Sequence, residues 1–120
     1  MERVSLDEKF SRFSEHWRPK IAADLNGQEM RLVKIKGTFP WHQHDDGDEM
    51  FLCWRGRFRL DYQGGSAELN AGEFFVVPRG VQHRPVAEEE AEIILFVPAG
   101  IRNTGNIVDA VYTAPTGVHV

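Results

Sequence analysis

Three histidines and one glutamate carry the chemistry this chain could do: His42 and His44 in Trp41-His42-Gln43-His44, then Glu49, then His83 in Val81-Gln82-His83-Arg84-Pro85. Neutral imidazoles with one carboxylate suit a divalent transition ion, and manganese, iron, nickel, copper and zinc all accept such a set. On an extended segment side chains alternate, so His42 and His44 point the same way. Glu49 opens the run Glu49-Met50-Phe51-Leu52-Cys53-Trp54, and the same alternation puts its carboxylate on one face with Phe51 and Cys53. If that face is the interior, an unpartnered carboxylate there costs several kcal/mol, roughly, and a bound cation supplies the missing charge. His83 follows the sharp corner Pro78-Arg79-Gly80, which can fix a side chain over a barrel mouth. His16 and His119 lie outside these segments.

Other residues compete for a role. Asp45-Asp46-Gly47-Asp48 lacks the alternating oxygen ligands and distal glutamate of a calcium loop and reads as an acidic surface turn. Asp48 rivals Glu49 as fourth ligand if that turn is one residue shorter. Cys53 has no neighbouring base in sequence and reads as a small apolar filler. Phe51, Phe58, Leu60, Tyr62, Phe75 and Phe96 are candidates for a pocket wall, about half of them facing outward. Arg57, Arg59 and Arg79 are candidates to meet an anion at its mouth, while Arg84 points away from His83's face.

The elements that must position these residues are short strands. Leu32 to Ile35, Met50 to Trp54, Phe58 to Tyr62, Ala67 to Leu69, Phe74 to Val77 and Ile93 to Val97 are apolar runs punctuated by Gly, Pro and Asp. That rhythm predicts an antiparallel sandwich or barrel. Asn26-Gly27, between Lys20–Leu25 and Gln28–Lys36, signals a two-residue hairpin turn. Upstream, Ser5 and Glu8 form a capping box, and Phe10, Phe13 and Trp17 at helical spacing predict a structural helix that Pro19 ends. Glu88-Glu89-Glu90 predicts a solvated hairpin tip. Ile107 to Tyr112 offers one last strand, and Ala114-Pro115-Thr116-Gly117 reads as a loose end.

With 120 residues, 42% of them hydrophobic, the chain should form one domain around one core. A net charge of -4 gives no electrostatic footprint for nucleic acid or an anionic membrane, so neither is an expected partner. Met1-Glu2-Arg3-Val4 leads into a polar amphipathic stretch, so no secretory leader is expected. The single cysteine fits a reducing, cytoplasmic setting.

Gly37, His42, His44, Glu49 and Gly56, followed by Gly72, Pro78, Gly80 and His83, resemble the two motifs of the cupin family of small barrels. Two departures stand: one residue fewer separates Gly37 from His42 than is usual, and Ala87 replaces the usual closing asparagine. The resemblance implies an all-β, cupin-type antiparallel β-barrel (jelly roll) with a short N-terminal helix and hairpin. It implies metal ligation by His42, His44, Glu49 and His83, and a homodimer. The expected organisation is residues 1–36 as helix and hairpin packed on the barrel or a partner, 37–99 as barrel core, and 100–120 as a C-terminal extension. The chain looks like cupins described as mannose-6-phosphate isomerase-like, a label that reflects the barrel. The implied function is a metal-dependent enzyme on a small oxygen-rich substrate, by isomerase, lyase or dioxygenase chemistry. The alternative is a non-enzymatic sensor module binding a small molecule or metal.

Overall fold

A computed structural model describes residues 1–120. After a short helix α1 (Leu6–Phe10) come β1 (Lys20–Leu25), β2 (Gln28–Thr38), β3 (Glu49–Arg55), β4 (Arg57–Tyr62), β5 (Gly65–Asn70), β6 (Phe74–Val77) and β7 (His83–Pro98). All pairings between these strands are antiparallel, in the order β1-β2-β7-β3-β6, with β4 joined to β5 and to β7. The expected all-β antiparallel barrel is what forms.

β7 closes it. Residues 83–86 pair with β4 and residues 92–96 with β3, while β2 runs alongside both halves. The two halves meet at Glu88–Glu90, where three exposed residues swell out between Gly37↔Ala87 and Ile35↔Ala91. The glutamates are thus a bulge in one continuous strand, not the expected hairpin tip. The chain bends there without reversing, and their charge keeps the bulge in water. Gly56, at φ 81, packs against that bend: a Cβ there would lie 3.1 Å from the Glu90 carbonyl oxygen.

Inside, alternation works as expected. Phe51 and Cys53 on β3, Val33 and Ile35 on β2, and Ile93, Leu95 and Val97 on β7 join one buried cluster. Each such side chain contributes roughly 1.5–3 kcal/mol by leaving water. On the outer face Phe10 of α1 covers Leu32 and Ile94, forming a second, smaller cluster. Ser5 caps α1, its hydroxyl accepting from the Glu8 N–H, as the sequence indicates. Asn26 and Gly27 both take positive φ, 52 and 76, in the β1–β2 turn.

Two segments differ from expectation. The helix stops at Phe10, and Trp17 is not helical: it sits at φ 63, its N–H donating to Lys34 O at 2.9 Å. The aromatic spacing was real but tertiary contacts decide it, Phe10 serving the outer face and Trp17 the inner cluster. Residues 107–112 form no strand, yet the C-terminal segment is not loose. Thr104 and Ala114 are buried, Arg18 donates to Thr113 O and Val111 O, and Ile21 exchanges backbone hydrogen bonds with Val118 and Val120.

Candidate metal centre

His42, His44, Glu49 and His83 converge. All four are buried, and one ligand atom from each lies within 4.8 Å of the others. His42 and His44 stand in the β2–β3 connection, outside the regular ladders expected for them. An isolated bridge holds the connection instead, His42 and His83 exchanging backbone hydrogen bonds of 3.0 and 2.8 Å. His44 O accepts from Gly80 N at 2.8 Å, so the Pro-x-Gly corner before His83 also fixes His44. On the far side Gly105 lies so close that a Cβ would fall 2.1 Å from Gln43 O and 3.2 Å from His44 Nδ1. Glu49 is the first residue of β3, facing inward beside Phe51 as alternation requires.

Proton positions follow from the partners. His42 Nδ1 lies 2.9 Å from Pro40 O and His83 Nδ1 lies 2.8 Å from Val81 O. Carbonyls only accept, so both Nδ1 atoms carry hydrogen and each ring turns its Nε2 inward. Burial first, and the neighbouring His83 second, push His42 down from 6.5 to about 4, so that ring is neutral at neutral pH. For Glu49 burial works to raise the pKa, but the imidazoles of His44 and His83 outweigh it and hold the carboxyl well below the usual range.

Glu49 Oε1 stands 3.2 Å from Nε2 of both His44 and His83. The His83 contact is a hydrogen bond. His44 Nε2 is out of line for a hydrogen bond and is a buried nitrogen without any partner. A cation among these atoms would give that nitrogen a partner, every inward atom then being a ligand. The residues present therefore fit a divalent transition ion.

The rival residues fall away. Asp48 is exposed and accepts from the Arg79 N–H at 2.9 Å. Cys53 is fully buried, and burial pushes its thiol up, as suits a filler. Arg59 and Arg84 both pair with Asp61, and Arg84 lies over the Trp41 ring, away from the ligands.

Beside the ligands lies a chamber of about 40 Å³, room for a few waters. Val33, Ile35, Phe51, Ile93 and Leu95 form its apolar wall, with His42 and Glu49 at the ligand side. Of the aromatic candidates named from sequence only Phe51 lines it; Phe58 and Leu60 are core, and Tyr62 and Phe75 border a separate groove. Half-buried Trp17, Pro19 and Asn103 lie on its exposed side, with Phe39 packed between Trp17 and His42 at ring distances of 4.8 and 5.2 Å. Sequence reasoning took Trp17 as structural and passed over Phe39 and Asn103, which no local pattern marks.

A model of the cupin domain family matches residues 29–98, more than half of the sequence. The chain belongs to the cupin family. Protein YdbB of Bacillus subtilis (strain 168), itself uncharacterized, is 32% identical over 63 residues, which is 52% of this chain and 56% of that one. The match thus spans little more than half of that relative. A cupin-2 domain containing protein from Shewanella frigidimarina NCIMB 400 is 39% identical with a TM-score of 0.78, over 79% of this chain and 93% of its own. Protein NMB1881 from Neisseria meningitidis is 31% identical with a TM-score of 0.75, over 82% of this chain and 100% of its own. Hydroquinone 1,2-dioxygenase from Sphingomonas sp. TTNP3 superimposes with a TM-score of 0.74 at 15% identity, covering 81% of this chain and 32% of its own, a likeness of fold alone.

Proposed function

We propose that this protein is a metal-dependent enzyme for a small oxygen-bearing substrate, with one divalent ion held by His42, His44, Glu49 and His83. One observation carries the reading: three imidazoles and one carboxylate converge in the core with a ligand atom from each within 4.8 Å of the others, and the Nε2 of His44 among them is buried without a hydrogen-bond partner. A transition ion held there would supply positive charge to polarise a substrate oxygen or to activate dioxygen.

The chain's own residues hold that arrangement. Pro40 and Val81 carbonyls orient two imidazoles, and the apolar wall excludes bulk water and strengthens every charge interaction inside. No acid or base other than His42 and Glu49 lines the chamber. Isomerase and lyase routes place a separate base beside the substrate carbon. Dioxygenase chemistry makes the smaller demand on side chains, and it is the route we favour. The test follows turnover and dioxygen uptake with small keto and enol substrates. Turnover abolished both by chelation and by His44→Ala supports the enzyme; saturable binding without product supports the sensor module instead.

We also propose a homodimer. Val76, Met50, Phe96 and Met30 stand in register across β6, β3, β7 and β2 on the outer face, beside Phe74. Phe74 and Val76 are 59% and 51% exposed at the sheet edge, and the cluster around Phe10 of α1, which takes in Leu32, Ile94, Met30 and Leu52, does not include them. A second copy covers the remainder most simply. The single buried thiol accords with a cytoplasmic setting.

A further inference from the structure

Polar atoms on the chamber wall are already bonded elsewhere. Trp17 Nε1 donates to Lys36 O at 3.0 Å. Asn103 Nδ2 donates to Tyr112 O and its Oδ1 accepts from Ala114 N, both at 2.9 Å. His42 Nδ1 is held by Pro40 O. No lysine or arginine lines the space, and the rest of the wall is Val, Ile, Leu, Phe and Pro. Trp17 reaches it from a backbone conformation a bulky residue rarely adopts, at φ 63, and such strain concentrates at functional positions.

From this geometry we infer that the site takes a compact ligand with one oxygen-bearing, ion-facing end and an apolar body, not a polyol or a sugar phosphate, and that Val33 and Trp17 are the wall that selects it. The inference rests on the metal reading above and adds the class of substrate. The ligand's oxygens meet the His42 and Glu49 side, where the charge is. Its remaining atoms meet a wall whose polar side chains, Trp17 and Asn103, are already engaged and lie on its exposed side, so a hydroxyl against the aliphatic wall enters unpaired. One added hydroxyl in such a pocket lowers affinity up to about a hundred-fold. The chamber of about 40 Å³ limits the body to a few heavy atoms unless Trp17 moves.

Two probes isolate the wall: 2-hydroxybutyrate and glycerate share an α-hydroxy acid end and charge, and differ only by a methyl against a hydroxyl. Binding of each to the zinc-loaded full chain is measured by calorimetry and divided by its affinity for free zinc. The expected result is a preference of about ten- to a hundred-fold for 2-hydroxybutyrate. Val33→Thr, nearly equal in shape, puts a hydroxyl in the wall and cuts the preference several-fold. Trp17→Phe removes the tryptophan fluorescence change that accompanies binding in the unaltered chain. Equal binding of the two probes, or tighter binding of glycerate, overturns the inference, as does a preference that Val33→Thr leaves intact or a fluorescence change that survives Trp17→Phe. Zinc content, measured on the same samples, reads the metal proposal separately: bound zinc with no preference sinks the substrate class alone, and absence of bound zinc sinks both.

Discussion

His44 sets function against stability at a single atom. Its Nε2 is buried without a partner, a fault that costs about 1–3 kcal/mol in the metal-free protein. His44→Leu removes that fault together with one of the two imidazoles that hold the buried Glu49 carboxylate ionised, so metal-free stability should change by no more than about 1 kcal/mol, while the stabilisation gained on adding metal disappears; thermal unfolding with chelator and with zinc checks both. His42 gives a pH dependence whose sign follows from burial. The unfolded chain protonates this residue near 6.5, whereas the folded chain resists until about 4. The unfolded state thus binds more protons across that window, and metal-free stability falls as pH drops from about 6.5 to about 4, by about 3 kcal/mol in all. Glu49, also held low, adds a loss that begins below its ordinary 4.5. Denaturant titrations across that range should show the slope, and His42→Phe should flatten its upper part.

Elements place these residues through contacts distant in sequence. The β2–β3 connection has no ladder of its own; the His83 bridge, the Gly80 N–H and the backbone at Gly105 hold it from three sides. Gly105→Ala should lower zinc affinity at least ten-fold and destabilise the fold by more than about 1 kcal/mol, because its Cβ meets Gln43 O and its φ of 57 disfavours a side chain. An unchanged zinc titration for this variant would show that the C-terminal segment does not support the ligands. The same contacts mark the limit of what the sequence discloses. Alternation within β3 and the spacing of His42, His44, Glu49 and His83 are local patterns, so the strands and the ligand cluster could be read directly. Trp17 follows Phe10 and Phe13 at helical spacing, and only its pairing with Lys34 and stacking on Phe39 turn it into the chamber. Glu88–Glu90 look like a tip because a bulge and a turn share polar composition; the pairing of β7 with the same strand, β2, on both sides of them distinguishes the two. Asn103 and Ala114 carry no periodic signal, since their order comes from bonds to each other and to neighbouring loop backbone.

For the molecule as a whole, closure of the barrel and coverage of its outer face are separate matters. The inner cluster is complete within one chain, so a monomer can hold the ligands in place. Phe74 and Val76 leave an apolar edge beside Met50 and Phe96, and light scattering should return twice the mass of one chain at micromolar concentration. Phe74→Lys should return the mass of one chain with its metal content unaltered; a monomeric unaltered protein contradicts the dimer and leaves the metal site standing. No helix is long and apolar enough to cross a membrane.

The most direct test of the account is the metal content of protein purified without chelator, by elemental analysis, for the unaltered chain and for His44→Leu and His83→Leu. The account predicts close to one transition ion per chain in the first and a loss of at least ten-fold in both variants. A folded, unaltered protein that takes up no ion even when manganese, iron, nickel, copper and zinc are each supplied, or variants that load as fully as it does, would contradict it.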